Sequence, residues 1–238
     1  MTPKSQLPKA TALKCALAIS ALWAAQAASA ANVNVDATTS GTYTESGGSF
    51  ISGYFIGRCN VCTPTGDFRA FVAFSLLGIE GPVTSATLRL SMPDIGYSSI
   101  DSSEGVGLFD VSTSLAALVG GTGGVGAFND LGSGQSLGST TISSNSGGTL
   151  IDFSLSQNGI NYINAALGSS VILGMAGTTL SSSGTLDENL FNNSTGNPDV
   201  TRQLMLVTSP VPEPSTLLSL STGLALLISQ MRRRLCQS

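Results

Sequence analysis

Short runs in which apolar and polar residues alternate recur along the middle of this chain of 238 residues. In the clearest run, 68–77, every second residue from Phe68 to Leu76 is apolar, and a period of two residues is typical of a half-buried strand. Weaker strand patterns cover 32–37, 50–57, 85–92, 105–111, 135–142, 149–155, 171–176 and 203–207. Because Gly- and Ser-rich turns separate these short strands, the sequence predicts an all-β fold, an antiparallel, jelly-roll-like β-sandwich.

Two segments between the strands have helical signals instead. Residues 112–114 are Ser-Thr-Ser, which can cap a short helix that the glycines at 120 and 121 would end. Residues 156–167 place Ile160, Ile163 and Leu167 on one stripe, with Gly168 as the stop. We therefore expect one or two short helices, with a Gly-rich loop over 121–138.

The N-terminus has the three parts of a secretory signal peptide. Lys4, Lys9 and Lys14 form a basic region, residues 15–25 are apolar, and Ala28 to Ala30 is an A-x-A cleavage site. We predict a signal peptide over 1–30, cleaved after Ala30. The alternative, an N-terminal anchor helix, is disfavoured because the apolar run is short.

The C-terminus combines a rigid polar motif, an apolar run and a basic end. The motif is Val211-Pro212-Glu213-Pro214-Ser215, the apolar segment covers 217–230, and the basic end is Arg232-Arg233-Arg234. The prolines hold the motif extended. A full membrane span needs about 20 apolar residues, so this segment is marginal as a permanent anchor. We predict a short transmembrane segment with its arginines on the cytoplasmic side. The alternatives are a plain tail anchor and a buried helix of the fold, and the three consecutive arginines disfavour the second. The chain thus divides into 1–30, a β-sandwich domain over 31–209, and 210–238.

These C-terminal residues resemble the PEP-CTERM sorting domain of Gram-negative bacteria, with 211–216 as its signature. The resemblance implies that an exosortase-like membrane protease recognises and cuts the chain near this motif. It also implies a transient stay in the inner membrane, and a producer with extracellular polysaccharide or biofilm matrix. The expected location is the cell envelope, the outer surface or the medium.

The body has a second, looser resemblance, to the DNRLRE-type jelly-roll domains of secreted bacterial proteins. It rests on Tyr-Phe-Ile-Gly at 54–57, Arg-Ala-Phe-Val-Ala-Phe at 69–74 and Ser-Ala-Thr-Leu-Arg-Leu at 85–90. The resemblance implies a jelly-roll fold and association with polysaccharide or the cell surface.

Composition excludes several functions. The chain has no histidine, which removes Ser-His-Asp and Cys-His catalysis and histidine metal sites. Residues 31–211 keep 13 of the 14 acidic residues but 4 of the 10 basic ones. Such a surface repels nucleic acid and attracts divalent cations.

Cys59 and Cys62 form a C-x-x-C pair. A redox site needs a helix after the first cysteine, and Thr63-Pro64 follows instead. We expect a small-loop disulfide in an oxidising envelope, with redox or metal roles as alternatives.

Calcium candidates are acidic residues in predicted loops: Asp101, Glu104, Asp187 and Glu188, with Asp67 and Asp94 beside them. The alternative is that these are solvated loop charges. Tyr43, Tyr54, Tyr97 and Tyr162 are candidate sugar platforms, for which strand packing is the favoured role.

The predicted function is an exported, non-enzymatic protein of the envelope or extracellular matrix, structural or adhesive in type. It needs no cofactor, and calcium is its one candidate ligand ion. The alternative is a carbohydrate-binding module for extracellular polysaccharide, assisted by calcium. A polysaccharide-active enzyme is the third hypothesis, which a clustered carboxylate pair in a cleft would favour.

Overall fold

The computed structural model describes residues 30–61, 63, 65–181, 186–193 and 200–209. The predicted signal peptide, apart from Ala30, and the predicted sorting segment 210–238 therefore lie outside the described residues. Cys62 lies outside them as well. Residues Ala31–Ser209 form one compact unit.

The described residues form eleven strands, three α-helices and one 3-10 turn. The strands are β1 Ala31–Thr44, β2 Ser49–Ile51, β3 Tyr54–Cys59, β4 Gly66–Ser75, β5 Val83–Ser91, β6 Ser103–Asp110, β7 Ser136–Ser143, β8 Leu150–Ser154, β9 Ser170–Gly177, β10 Glu188–Asn193 and β11 Arg202–Thr208. The helices are α1 Leu115–Val119, α2 Gly124–Asp130 and α3 Gln157–Ala165, and the 3-10 turn is Ser144–Ser146.

Strand β1 belongs to two layers. Its first half pairs with β11, and β5 and β8 follow in the same layer, which we call the front sheet. Its second half pairs with β4, followed by β9, β6 and β7, in the layer that we call the back sheet. The register shifts between Ala37 and Thr39, where β1 passes from one layer to the other. A bulge bends a strand in this way.

The remaining strands extend the back sheet. β2 pairs with the second half of β1, and β3 pairs with the beginning of β4 and with β10. An isolated bridge between Gly138 and Leu155 brings β7 next to β8, so the two layers also approach each other at the side opposite β1. All these pairings are antiparallel, and the predicted all-β, antiparallel architecture is confirmed.

The main core lies between the two sheets. Leu88 and Leu204 of the front sheet belong to the same buried cluster as Val72, Leu173 and Val106 of the back sheet. Helix α3 closes this layer from the side by contacts with β5 and β7. It is fixed to β5 because the Asn164 side chain accepts from the Val83 amide at 2.7 Å and donates to the Val83 carbonyl at 2.9 Å.

A second core covers the outer face of the back sheet. Phe71 and Ile172 of the sheet pack there against Leu118 of α1 and Phe128 of α2. The Tyr43 hydroxyl donates to the Leu118 carbonyl at 2.9 Å, which joins β1 to the end of α1.

The two predicted helices are confirmed: Ser114 caps α1 by accepting from the Ala117 amide, and Ser156 caps α3 by accepting from the Gly159 amide. The prediction of a Gly-rich loop over 121–138 is wrong in part, because helix α2 lies within it and makes a third helix. Ala127 and Phe128 of α2 are buried in the second core, so tertiary packing compensates for the low helix propensity of glycine.

Within the described residues, no helix has the length and apolar character that a membrane crossing requires.

Candidate functional site

Three of the four calcium candidates come together in one cluster. Asp101 precedes β6, Glu104 lies on β6, and Glu188 begins β10. One carboxylate oxygen of each residue lies within 4.8 Å of one from each of the other two. Asp101 is exposed, whereas Glu104 and Glu188 are each only 1% exposed. The cluster therefore combines two buried carboxylates with one at the surface.

A short backbone pairing assembles this cluster from distant parts of the chain. The Ser98 amide donates to the Asn189 carbonyl at 2.8 Å, and the Asn189 amide donates back at 2.7 Å. This pairing places the loop before β6 beside the first residue of β10. Ser99 and Glu188, which follow and precede the paired residues, are thereby brought into contact.

Hydroxyl and amide groups donate to the two buried carboxylates. The Ser99 hydroxyl lies 2.7 Å from Glu104 Oε1 and 3.4 Å from Glu188 Oε1, and its single proton goes to the nearer oxygen. The Thr179 hydroxyl donates to Glu104 Oε2, and the Ser181 amide donates to Glu188 Oε2 at 2.7 Å. These bonds fix the direction of both carboxylates but bring no positive charge.

The arginines of the described residues are bonded elsewhere. Arg58 pairs with Asp67 and Arg89 with Asp152, Arg69 donates to the Phe128 and Asn129 carbonyls, and Arg202 donates to Ser40. A buried carboxylate is unfavourable unless a counter-charge or a metal compensates it. Three carboxylates offer up to six oxygens, the hard ligands that Ca²⁺ takes. The arrangement is thus one that a calcium ion would stabilise.

Tyr97 lies at the edge of the cluster. Its hydroxyl donates to the Asp101 carbonyl at 2.6 Å. Burial raises the pKa of Tyr97, and the nearby carboxylates of Glu104, Asp101 and Glu188 raise it further. The hydroxyl therefore stays protonated and continues to donate at neutral pH.

The other sequence-predicted residues lie apart from the cluster. The Asp187 carboxylate accepts from the amides of Asn60 at 2.7 Å and Val61 at 3.0 Å, so it closes the loop after β3. Asp67 is paired with Arg58, and Asp94 lies beside the Gly147–Gly148 turn. Cys59 is disulfide-bonded at the end of β3, and the predicted partner Cys62 falls outside the described residues.

The tyrosines are mostly packing residues. Tyr43 and Tyr54 are buried, and Tyr54 packs against Phe191 with ring centroids 5.8 Å apart. The half-buried Tyr162 hydroxyl donates to the Ile172 carbonyl at 3.1 Å, so it joins α3 to β9. Strand packing, the favoured role, is confirmed for Tyr43 and Tyr54, which excludes Tyr54 as a sugar platform.

A groove that the sequence did not predict lies at the end of the front sheet where β8 and β11 begin. Its volume is about 560 Å³. The polar side chains that line it are Asp36, Arg89, Thr201, Arg202 and Gln203, with Leu150, Ala37 and Val200 as apolar neighbours. The inward side of these strands faces the main core, whereas Asp36 and Leu150 are exposed.

Four polar residues form a row across the front sheet, one from each strand, and Asp36, Gln203 and Arg89 of this row line the groove. Asp36 is opposite Gln203, Gln203 is opposite Arg89, and Arg89 is opposite Asp152. Gln203 Nε2 donates to Asp36 Oδ1 at 3.0 Å. Arg89 binds Asp152 through two parallel bonds of 2.7 Å each. The side chains of the row are therefore held in fixed orientations.

The ion pair in this row stays charged over a wide pH range. Its hydrogen bond to Asp152 raises the pKa of Arg89, and the same bond lowers the pKa of Asp152. No local pattern predicts the row, because each of its residues occupies an ordinary solvent-facing position of a different strand.

The fold and the two sites define an antiparallel β protein with an acidic cluster and a polar groove. The chain matches no protein-family model and no curated protein.

Proposed function

We propose that this protein is an exported structural or adhesive component of the cell envelope or extracellular matrix. The observation that carries the proposal is the position of the folded unit between the two predicted export signals. The compact unit covers Ala31–Ser209. It begins directly after the predicted cleavage at Ala30 and ends just before the motif at Val211. An exported chain with both signals removed would retain all of this unit.

The predicted sorting signal at 211–234 supplies the mechanism of this proposal. An exosortase-like protease holds the extended Pro-Glu-Pro motif while the apolar segment and the arginines keep the chain transiently in the inner membrane. Cleavage then releases the β unit to the surface or the matrix. The jelly-roll connectivity belongs to the same proposal, and the two stacked antiparallel layers support it.

The intact mass of the protein from its native host, after separation of membrane from medium, tests this proposal. We expect a mass that begins at Ala31 and ends near Val211, in the medium or attached to a glycan or lipid. A membrane-bound chain that retains Arg232 to Arg234 would overturn the sorting mechanism, because the tail would then be an ordinary anchor.

Calcium is the ligand ion in this proposal, and Asp101, Glu104 and Glu188 would hold it. The support is the pair of buried carboxylates whose bonding partners among the described residues are hydroxyl and amide groups. Calcium that binds only the folded chain at a hundredfold excess over its Kd adds about 2.7 kcal/mol of stability. For a domain of this size that corresponds to a rise of about 5–10 °C in Tm.

The calcium proposal is tested by thermal unfolding of the exported protein in EDTA and in millimolar calcium. Glu104→Gln and Glu188→Gln keep the shape of the side chain and remove its charge, so we expect both to lose the rise in Tm. Glu80→Gln, at an exposed position away from the cluster, is the matched control and should keep it. An equal rise in all four proteins would place the calcium elsewhere.

Carbohydrate binding is a second candidate function, and the groove on the front sheet favours it. A row of fixed donors and acceptors on an open β-face suits a hydroxyl-rich ligand, because specificity in such sites comes from a few well-placed polar groups. The enzyme hypothesis has weaker support: Glu104 and Glu188 form a carboxylate pair, but both are 1% exposed, whereas a glycosidase pair must flank a bound sugar.

A further inference from the structure

We infer that the groove on the front sheet is a binding site for an uncharged, hydroxyl-rich polysaccharide, with Asp36 and Gln203 as its central contacts. This inference rests on the second candidate function above and names the site and the ligand class for it. Four observations carry it: the open groove, the balance of the charges in and beside it, the polar row that enters it, and the apolar groups that line it.

Charge balance selects the ligand class. The lining of the groove contains the Asp36 carboxylate and the guanidinium groups of Arg89 and Arg202, and Asp152 beside the groove neutralises Arg89. These charges cancel, so the site gives no net attraction to a polyanion or a polycation. The acidic excess of the chain, 13 acidic residues against 4 basic ones over 31–211, repels a polyanion at longer range. A neutral ligand does not meet this repulsion, and the site has no net charge that would favour a polycation over it.

The polar row offers what sugar hydroxyls bind. A hydroxyl both donates and accepts, so it pairs best with a surface that presents donors and acceptors side by side. Gln203 and Asp36 provide an amide and a carboxylate held 3.0 Å apart. Arg202 Nη1 donates to Ser40 Oγ at 2.7 Å, a bond that uses one of the five N–H donors of its guanidinium group.

The side chains are already ordered before a ligand arrives. The bonds between Asp36 and Gln203 and between Arg89 and Asp152 fix four polar side chains without a ligand. Immobilising a long polar side chain on binding costs about 0.5–1.5 kcal/mol, and this row avoids much of that cost. At about 4.8 Å per strand, the row extends about 14 Å across the sheet, enough for a short stretch of a sugar chain.

The border of the groove complements the apolar side of a sugar ring. Leu150 is 51% exposed at the beginning of β8, and the partly buried Ala37 and Val200 also line the groove. Their aliphatic groups can cover the C–H face of a sugar while its hydroxyls reach the row. Aliphatic contacts bury less area than aromatic stacking, so binding to a long chain, with repeated contacts, is favoured over binding to a single sugar.

Affinity electrophoresis of the exported protein tests this inference. The gels contain dextran as a neutral probe, polygalacturonate as an anionic probe or chitosan as a cationic probe. The variant is Asp36→Ala combined with Gln203→Ala, and Gln157→Ala on the exposed side of α3 is the matched control. Circular dichroism and thermal unfolding establish that each variant is folded.

We expect retardation in dextran and none in polygalacturonate, a loss of about tenfold or more in affinity for dextran in the double variant, and wild-type behaviour of Gln157→Ala. Retardation in chitosan, which the acidic excess predicts, should be lost in salt, whereas retardation in dextran should persist. Binding to dextran that the double variant keeps would overturn the groove as the site but leave carbohydrate binding in place. Retardation only by a charged polymer would overturn the ligand class. Binding to none of the three would overturn both the groove inference and the carbohydrate-binding candidate, while the sorting proposal depends separately on the intact mass.

Discussion

The two sheets use their outer faces in opposite ways. On the back sheet, Phe71 and Ile172 are buried beneath α1 and α2. On the front sheet, Arg89 and Asp152 lie at the surface, and Gln203 lines a groove. Both sheets have the same antiparallel pairing and share one core between them, so the difference comes from the side chains and from the helical segment that only the back sheet carries.

The sequences of β4 and β5 show why. In β4, residues 70–74 are apolar at every position, and all five are buried. A continuous apolar run is typical of a strand that is covered on both faces. In β5, Leu88 and Leu90 are buried while Arg89 between them is half-buried and charged. A strand that alternates strictly buries one face in the core and leaves the other face accessible to solvent or a ligand.

Removal of a ring from the covered face should have the largest effect. Phe71→Ala leaves a cavity in the second core, and such a change destabilises proteins by about 3–5 kcal/mol. Chemical denaturation at neutral pH measures this loss. Asn34→Ala, at an exposed outer position of the front sheet, should change the free energy of unfolding by no more than about 0.5 kcal/mol. Similar losses of stability in the two variants would show that the outer faces of the two sheets do not differ in burial as described.

The sequence predicts the strands better than the covering helices. The alternation from Phe68 to Leu76 predicts β4 and its inward residues, and Ala70, Val72 and Phe74 do lie in the main core. The opposite residues Phe71 and Ala73 are buried as well, because α2 covers them. The sequence pattern does not predict helix α2, because its glycines are typical of a loop. The helix is stabilised by packing in the second core, which includes Phe71, and not by local propensity.

The candidate sites were predictable only in part. Acidic residues in an acidic chain made Asp101, Glu104 and Glu188 candidates for calcium, but the pairing of Ser98 with Asn189 decides which of them meet. A contact between residues so far apart in the chain has no local signal. The groove residues are harder still, because the register of four strands aligns them.

We expect the second largest loss of stability when the contact between α2 and the back sheet is removed. The Arg69 guanidinium lies 4.3 Å from the centre of the Phe128 ring and donates to the Phe128 and Asn129 carbonyls, each at 3.1 Å. Burial lowers the pKa of Arg69, and the carboxylates of Asp67 and Glu45 act against that change. Arg69→Met keeps the aliphatic stem and removes these bonds, so we expect a loss of about 2 kcal/mol in chemical denaturation.

The matched control is Arg89→Met on the front sheet, which removes a charge from an exposed pair and should cost less. If Arg89→Met were the more destabilising of the two, the covering helix would not depend on its contact with the sheet, and the contrast between the faces would be lost.

A fall in pH should weaken the packing of α1 and α2 on the back sheet, because the Asp130 carboxylate becomes protonated. Burial raises the pKa of Asp130, but hydrogen bonds from Thr113 and Ser112 together outweigh it and hold this pKa below its usual value. Since the folded pKa is the lower one, the stabilisation is present in full above about pH 4. It is lost as the pH falls through the folded pKa. Asp130→Asn should cost about 1–1.5 kcal/mol at pH 7, and the two proteins should converge in stability at low pH in urea unfolding.

A difference between the wild type and Asp130→Asn that stayed constant from pH 7 to below pH 3 would contradict this account. It would mean that the charge of Asp130 does not stabilise the packing of α1 and α2 on the back sheet. Asp130 accepts from the Ser112 amide at 2.9 Å and from the Thr113 amide at 2.7 Å, and the second bond fixes the segment that leads into α1.

We expect the smallest change in stability when the Arg89–Asp152 ion pair on the outer face of the front sheet is removed. The side chains of Arg89 and Asp152 are 34% and 42% exposed, and such an exposed pair contributes little to stability because water and salt screen its charges. A double-mutant cycle with Arg89→Met and Asp152→Asn measures the coupling, which should shrink further in 1 M salt because exposed charges are screened. A strong coupling that resisted salt would instead be typical of a buried pair. The front face would then have to be treated as a second covered face, whereas a weak, salt-sensitive coupling leaves its polar row available to a ligand.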